Sequence, residues 1–248
     1  MKKIILIIPC YNEEENIEKV YKAIEQYNKK NTQKLDYVFV NDASKDNTLE
    51  KIKMFNLNYI NLITNLGIGG AVQTGYKYAY ENDYDIAIQF DGDGQHDINY
   101  VSKICAPIIQ NKADMVIGTR YLKKSESKFQ STVLRRFGSR IISLFIGICC
   151  GKKITDPTSG FRAVNKKILK EFSENYPKEY PEPESTVSML INDFTVKEVP
   201  VSMNEREGGT SSISNNFWKP IDYMLKVVLA TIIDSISFRK RGGKNNDS

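Results

Sequence analysis

The chain has 248 residues, of which 41% are hydrophobic and 26% charged, and its formal net charge is +5. This composition is typical of a globular protein with a sizeable core and excludes a disordered or fibrous chain. A single histidine argues against a histidine-based metal site and against a Ser-His-Asp triad. Four cysteines without metal-ligand spacing favour a reduced cytosolic setting, and the first apolar run, residues 4–8, is too short for a signal peptide.

The positive charge is concentrated in two segments, residues 135–153 and 239–244. Neither accompanies a helix-turn-helix, zinc-finger or RNA-binding signature, so we expect no nucleic-acid partner. Basic patches also bind acidic lipid headgroups, and we therefore favour a membrane surface as the partner.

Strand and helix patterns alternate along residues 1–120. Short apolar runs predict strands, and the polar turn after the first strand leads into a helix with apolar residues at helical spacing from Ile17, with Asn12 as its expected N-cap. This alternation predicts a mostly parallel sheet with helices on both faces. The predicted strands are residues 4–8, 37–40, 59–64, 86–90 and 113–118.

Polar residues follow several of these strands. Asp42 ends the second strand, Asp91 and Asp93 follow the fourth, and Arg120 follows the fifth. Because parallel strands present their carboxyl ends at one edge of the sheet, this edge could serve a nucleotide, a metal and an anion. Glu13, after the first strand, is expected either to cap a helix or to contact the ligand.

The segment Ile86 to His96 reads IAIQFDGDGQH, a buried strand followed by two carboxylates spaced by glycine. Two adjacent carboxylates at the end of a core strand are costly without a positive partner, and their oxygens suit Mg²⁺ or Mn²⁺. An ordinary Asp-Gly turn is the alternative interpretation.

A glycine-rich segment, Gly67 to Gly70, follows the third strand and invites comparison with a dinucleotide-binding loop. Val72 stands where that fingerprint requires its third glycine, and the segment does not follow the first strand. We therefore exclude NAD and expect these glycines to allow close approach of the backbone to a neighbouring strand or a ligand.

Two further segments are amphipathic. Residues 131–150 predict either a buried helix or a helix in contact with a membrane. The longest uncharged run, residues 141–151, is too short to cross a bilayer. Residues 217–236 predict a helix with one apolar stripe and a basic end. Such a helix could lie at a membrane interface, or dock a small transmembrane partner protein or a second subunit.

An ordered set of motifs resembles the inverting family-2 glycosyltransferases of GT-A fold, and in particular the branch of dolichol-phosphate mannose synthases and undecaprenyl-phosphate glycosyltransferases. The resemblance covers about residues 3–213. It implies a GT-A α/β fold, a mostly parallel central sheet flanked by helices, with a domain at 1–213 followed by an amphipathic helix and basic tail at 214–248. The motifs are PCYNE from Pro9, NDASKD from Asn41, DGDGQH from Asp91, GTR from Gly118, DPTSGFR from Asp156 and REGGTSS from Arg206.

The resemblance also implies roles for residues. The nucleotide pocket is expected to contain Pro9, Tyr11, Glu13, Asp42 and Asp91, and the metal and diphosphate site Asp91, Asp93 and Gln95. Asp93, Arg120 and Arg206 are expected to act in catalysis, the two arginines by holding the donor diphosphate or an acceptor phosphate. Ser159, Gly160, Phe161 and Arg162 are expected to line the acceptor side.

The activity implied is metal-dependent, inverting transfer from a nucleotide sugar to a polyprenyl phosphate by a protein peripheral to the inner face of the cell membrane. Ser211 and Ser212 replace a small-then-lysine pair common in mannose synthases, which favours a UDP-sugar over GDP-mannose. Two alternatives stay open: extension of a polysaccharide on a sugar hydroxyl, and a non-catalytic nucleotide-sugar sensor. A hydroxyl acceptor requires a base, for which Glu182 or Glu184 is the candidate, although a rigid proline-rich loop is the favoured interpretation of that segment.

Overall fold

The computed structural model describes residues 2–122, 133–203 and Lys226. Seven strands form one sheet: β1 (Ile4–Cys10), β2 (Asp36–Asn41), β3 (Tyr59–Asn61), β4 (Ile86–Gln89), β5 (Met115–Thr119), β6 (Arg162–Asn165) and β7 (Val196–Pro200). The helices are α1 (Ile17–Lys30), α2 (Thr48–Met54), α3 (Gly67–Glu81), α4 (Val101–Ile109), α5 (Val133–Cys150), α6 (Lys166–Glu174) and α7 (Pro181–Ile191).

The strand order is β3-β2-β1-β4-β6-β5-β7. Only β6 runs antiparallel to its neighbours β4 and β5, and every other pair is parallel. The prediction of a mostly parallel sheet flanked by helices is therefore confirmed. Because β6 is reversed, its first residue, Arg162, pairs with Gln89 at the end of β4 and lies at the same edge as the ends of the parallel strands.

The central strands are buried on both faces, which explains their continuous apolar sequence. All seven residues of β1 are buried. Alternate β1 residues serve opposite faces: Leu6 and Ile8 belong to one core cluster, and Ile5 and Ile7 to the other. Both layers of helices are thus held to the sheet by apolar contact along its whole width.

Two local predictions are wrong. The glycine-rich segment is the first turn of α3 and not a loop. A Cβ at Gly69 would lie 2.5 Å from the carbonyl oxygen of Pro177, so the close approach predicted for these glycines is to the segment between α6 and α7, not to a strand or a ligand. Asn12 does not cap α1, whose N-cap is Asn16. Instead Asn12 has a φ of 56° and its side-chain oxygen accepts a hydrogen bond from the backbone of Lys45 at 2.8 Å, which links two loops.

The proline-rich segment at residues 180–184 is also not a loop. It forms the start of α7, with Pro181 in the first turn, where a missing backbone N–H costs nothing. The consequence is functional, because a helix fixes the direction of Glu182 far more closely than a surface loop would.

The amphipathic segment at 131–150 forms α5 from Val133 onward. Ile142 and Ile146 are buried against the core, whereas Phe137, Leu144 and Ile148 are exposed. One face of the helix is thus a core face and another is apolar and open to solvent. No helix in the described part of the chain is long and apolar enough to cross a membrane. Apart from Lys226, the predicted helix at 217–236 lies outside the described residues, as does the domain boundary at 213.

Candidate active site

The carboxyl ends of β1, β2, β4 and β5 and the start of β6 form one edge of the sheet. This edge brings together Tyr11, Asp42, Asp91 and Arg120, as the strand pattern predicts. The antiparallel β6 adds the loop before Arg162, so the predicted acceptor-side residues enter the same region.

Asp91 and Asp93 lie in a turn just after β4. The Asp91 side chain is 33% exposed, and Asp93 Oδ1 accepts a hydrogen bond from the backbone of Gln95 at 3.0 Å. No cluster of three or more His, Cys, Asp or Glu side chains that could hold a metal occurs among the described residues. A partly exposed carboxylate pair fits Mg²⁺ or Mn²⁺, because such ions complete their coordination with waters and substrate phosphates.

His96, the last residue of the DGDGQH motif, is buried against this turn. Its Nδ1 accepts a hydrogen bond from the backbone N–H of Asp91 at 3.0 Å, and its Nε2 lies 3.5 Å from Asp91 Oδ2. Desolvation lowers the pKa of His96 to about 4, against a smaller upward effect of Asp93, so the imidazole is neutral at physiological pH. No role for this histidine follows from the sequence, although its place in the motif is visible there.

Gln89 connects the turn to α7. Its Nε2 donates to Asp91 Oδ1 at 3.4 Å and to Glu182 Oε1 at 3.3 Å, and its Oε1 accepts from the Tyr176 hydroxyl at 3.3 Å. Desolvation raises the pKa of Glu182, the charge of Arg162 opposes this, and the charge of Asp91 adds to it. A single side-chain amide, that of Gln89, therefore separates Glu182 from Asp91. The sequence did not predict a role in the site for Gln89 or Tyr176.

Most of the residues expected in the nucleotide pocket are buried or make hydrogen bonds within the protein. Asp42 is 3% exposed, and its Oδ1 accepts a hydrogen bond from the backbone of Leu66 at 2.7 Å. Burial raises the pKa of Asp42, and backbone hydrogen bonds partly offset this. Glu13 accepts from the side chain of Asn16, and Pro9 is buried within β1. Tyr11, at 41% exposed, faces solvent, as does the partly exposed Asp91 of the same set.

Arg120 forms a buried ion pair with Asp156. Nε and Nη2 donate to the two carboxylate oxygens at 2.8 and 2.7 Å, and the backbone N–H of Arg120 donates at 3.1 Å. Burial alone would lower the pKa of Arg120, but the hydrogen bonds and charge of Asp156 outweigh it and raise the pKa. Glu198 of β7 in turn accepts hydrogen bonds from the backbone of Thr155 and Asp156, both at 2.8 Å.

Two of the predicted acceptor-side residues, Phe161 and Arg162, are buried beneath the loop that precedes β6. Arg162 is fully buried and donates to the carbonyl oxygens of Ser159, Pro157 and Glu182, each at 2.6 Å. Phe161 is also fully buried. The acceptor-side expectation for Arg162 is therefore corrected: its guanidinium holds the loop to α7. Ser159 donates to the carbonyl of Gly118 at 2.6 Å.

Gly160 sits directly against the carboxylate pair. A Cβ at this position would lie 2.7 Å from Asp91 Oδ2 and 3.1 Å from Gln89 Nε2. Only glycine allows the loop backbone to approach this closely without displacing Asp91. The loop before β6 and the turn after β4 therefore form one surface.

A cavity of about 480 Å³ opens beside this surface, between the end of β5 and α5. We call it the basic pocket; its lining is Arg120, Tyr121, Arg136, Arg140, Ser143, Lys153 and Thr155. The hydroxyls of Tyr121 and Ser139 are buried and have no hydrogen-bond partner among the described residues. The sequence marked Arg136, Arg140 and Lys153 for a membrane surface and Arg120 for a phosphate, and it did not predict a pocket that they share. Arg206, Ser211 and Ser212 lie outside the described residues.

Comparison with known proteins decides the family. The model of glycosyl transferase family 2 matches residues 5–173. The chain belongs to this family. It is a glycosyltransferase, and the resemblance drawn from its motifs is confirmed.

Relatives and structures of this glycosyltransferase agree with that assignment. A UDP-N-acetylglucosamine–dolichyl-phosphate N-acetylglucosaminyltransferase of Methanococcus voltae is 34% identical, over 81% of this chain and 85% of the relative. A polyprenol monophosphomannose synthase of Mycolicibacterium smegmatis is 24% identical, over 87% and 82% of the two chains. Glucosyl-3-phosphoglycerate synthase of Mycobacterium tuberculosis, in a complex with Mn²⁺, UDP-glucose and phosphoglyceric acid, superposes with a TM-score of 0.69 and 16% identity, covering 94% and 79%. This structural likeness confirms the fold.

Proposed function

We propose that this glycosyltransferase moves a sugar from a nucleotide sugar, with a UDP-sugar favoured over GDP-mannose, to a polyprenyl phosphate. The observation that carries the proposal is the basic pocket, where Arg120, Arg136, Arg140 and Lys153 line one cavity at the active edge of the sheet. A phosphate monoester carries more than one negative charge at neutral pH and accepts strong hydrogen bonds from such groups. The acceptor named for the Methanococcus relative, dolichyl phosphate, is of this class.

One face of α5 supplies part of the basic pocket. Arg136, Arg140 and Ser143 line the pocket and share this face because they are spaced by three and four positions. Two of the four cations of the pocket therefore come from a single helix.

The donor would bind at the turn after β4. Asp91 and Asp93 are proposed to hold Mg²⁺ or Mn²⁺ together with the diphosphate, and Arg206 to contact that diphosphate. When bound, the ion offsets the negative charge that develops on the leaving group. The Mn²⁺ and UDP-glucose named for the mycobacterial structure support this choice of ion and nucleotide.

The chain's own residues then orient the two substrates. The basic pocket would hold an acceptor phosphate oxygen toward the anomeric carbon on the face opposite the diphosphate, which inverts the configuration. The new carbon–oxygen bond forms as the bond to the diphosphate breaks, and the diphosphate departs with the bonding electron pair. Because the attacking oxygen is already ionised, with a second phosphate pKa of about 6, no general base is required.

The exposed apolar face of α5 supports action at a membrane. Phe137, Leu144 and Ile148 are 57%, 62% and 69% exposed and share a helix with Arg136 and Arg140 of the basic pocket. Apolar side chains beside cationic ones suit an interface with anionic headgroups, and we propose the cytoplasmic face of the membrane. The tail at 214–248 is proposed to add a second contact, with the membrane, a small transmembrane protein or another subunit.

One observation favours a second candidate, transfer to a sugar hydroxyl. Glu182 is held beside Asp91 through Gln89, and its raised pKa suits a general base. Glu184 lies two residues further along the same helix.

Transfer of radiolabelled sugar to an organic-extractable lipid tests the proposal. Purified protein would be incubated with membranes, Mg²⁺ or Mn²⁺, and a panel of UDP- and GDP-sugars, with Asp93→Ala as the control. Label in the lipid phase that the variant loses is the expected result. Label confined to polysaccharide, with loss of activity in Glu182→Gln, would favour the hydroxyl acceptor; nucleotide binding without turnover would favour a sensor.

A further inference from the structure

The single histidine of the chain occupies a fixed position beneath the carboxylate turn. The imidazole of His96 stacks on the ring of Phe161 at a centroid distance of 4.7 Å and meets the ring of Phe90 edge-on at 5.4 Å. Its backbone also forms an antiparallel bridge with Met203. With the side chain only 3% exposed, the ring has little freedom to rotate or shift.

Both ring nitrogens face the same residue. Nδ1 accepts the hydrogen bond from the backbone N–H of Asp91 at 3.0 Å, so Nδ1 carries no proton. In a neutral imidazole the proton is then on Nε2, which lies 3.5 Å from Asp91 Oδ2. This contact is too long for a good hydrogen bond, so the one hydrogen bond between the two residues is the one that Nδ1 accepts.

The opposite side of Asp91 is confined as well. Gln89 Nε2 lies 3.4 Å from Oδ1, and a Cβ at Gly160 would lie 2.7 Å from Oδ2. His96, Gln89 and Gly160 are all neutral groups. Their contacts therefore orient the carboxylate without neutralising it.

We propose that His96 is a positioning residue that fixes the backbone and the carboxylate of Asp91 for binding a divalent cation and the donor diphosphate. The inference rests on the proposed function in one respect, that Asp91 binds the ion. Groups behind a metal ligand typically change the affinity for the metal by about 10- to 100-fold when they are removed. An imidazole that merely fills space between Phe90 and Phe161 would affect that affinity equally whether or not its replacement can accept a hydrogen bond from the backbone N–H of Asp91.

Two variants separate these roles. His96→Ala and His96→Asn both remove the ring, and with it the stacking on Phe161. Asn keeps an acceptor oxygen on Cγ, where Nδ1 is attached, and can still accept from the backbone N–H of Asp91. His96→Phe is the complementary variant, because it keeps an aromatic ring but no nitrogen.

The experiment is a Mn²⁺ titration followed by the EPR signal of the free ion, in the presence of UDP or GDP, with thermal unfolding of each variant measured in parallel. We expect Mn²⁺ affinity to fall about 10- to 100-fold in His96→Ala and His96→Phe. His96→Asn should retain at least several-fold more affinity than His96→Ala, although both should lose similar thermal stability.

Equal Mn²⁺ affinities in His96→Ala, His96→Asn and the wild type would overturn the inference and leave the proposed function standing. Equal losses in His96→Ala and His96→Asn would also overturn it, because packing alone would then explain the effect. If His96→Phe does not fold, the comparison of Ala with Asn still decides. A wild-type protein that binds no Mn²⁺ with either nucleotide would contradict the metal dependence in the proposed function, and the inference would fall with it.

Discussion

The carboxylate of Asp156 accepts two hydrogen bonds from the guanidinium of Arg120, at 2.8 and 2.7 Å. This two-point contact fixes the orientation of the guanidinium relative to the carboxylate. Asp156 is fully buried, and its own position is fixed by the carboxylate of Glu198 on β7. Through these contacts the edge strand of the sheet controls the direction of an arginine that lines the basic pocket. A residue outside the active site can thus determine how an acceptor phosphate is held.

Replacing Asp156 with Asn should destabilise the protein severely. The substitution leaves the buried guanidinium of Arg120 without its compensating charge, and breaking such a pair costs about 3–5 kcal/mol. Urea unfolding followed by circular dichroism would measure the change. The matched control is Glu18→Gln, which removes an exposed ion pair with Lys22 on α1 and should have a far smaller effect. Equal effects of the two substitutions would contradict the structural role of Asp156.

Replacing Gly160 with Ala should lower activity more than stability. The new methyl group would lie 2.7 Å from Asp91 Oδ2 and must displace that carboxylate. A shift of this kind in a reacting group costs on the order of 100-fold in rate. Gly147→Ala on α5 is the control: its Cβ meets nothing closer than 4.0 Å, and the helix should gain up to about 1 kcal/mol. Unchanged turnover in Gly160→Ala, measured by donor consumption, would show that Asp91 tolerates the displacement.

Replacing Arg140 with Gln should weaken binding of the lipid acceptor selectively. A hydrogen bond to a charged group contributes about 1.5–3 kcal/mol, which corresponds to a KM for polyprenyl phosphate raised about tenfold or more. The affinity for the nucleotide should not change, because Arg140 lines the basic pocket and not the turn after β4. Lys167→Gln on the exposed surface of α6 is the charge-matched control. A rise in KM for the nucleotide sugar instead would mean that Arg140 contacts the donor and not the acceptor, which would contradict the prediction.

The stability of Glu182→Gln relative to the wild type should depend on pH. Burial raises the pKa of Glu182 above its value in the unfolded chain, so the folded protein binds more protons between these two values. The free energy of unfolding of the wild type therefore falls as pH rises through that window. Gln does not titrate, so the free energy of unfolding of Glu182→Gln, taken relative to that of the wild type, should increase with pH through the same window. Below about pH 4 this difference should not change with pH.

Urea unfolding of the wild type and Glu182→Gln between pH 4 and pH 8 would measure this difference. Glu50→Gln, at an exposed position on α2, is the control and should give a curve parallel to the wild type. A curve for Glu182→Gln that is also parallel would mean that the carboxyl group is solvated in the folded protein.

Much of the active edge was predictable because it follows from local sequence. Each apolar run ends where its strand ends, and parallel strands place these ends together. Asp91 and Arg120 could therefore be assigned to one region from the sequence alone. The strand pattern placed Asp42 at the correct edge of the sheet. Its carboxylate, however, accepts a hydrogen bond from the backbone of Leu66, a contact between residues 24 positions apart. The acceptor-side role of Arg162 came from the family resemblance, and the burial of this residue was not visible in any pattern.

The sequence by itself determined the family, the α/β architecture and the position of the carboxylate turn, because ordered motifs and the periodicity of apolar residues are local properties. Only the tertiary structure decided which groups meet. The antiparallel β6 presses Gly160 against Asp91, α7 brings Glu182 to Gln89 across 93 positions, and α5 closes the basic pocket. These contacts depend on how whole elements pack across the sheet, and the balance of burial and hydrogen bonding that fixes such packing is not written in any single segment.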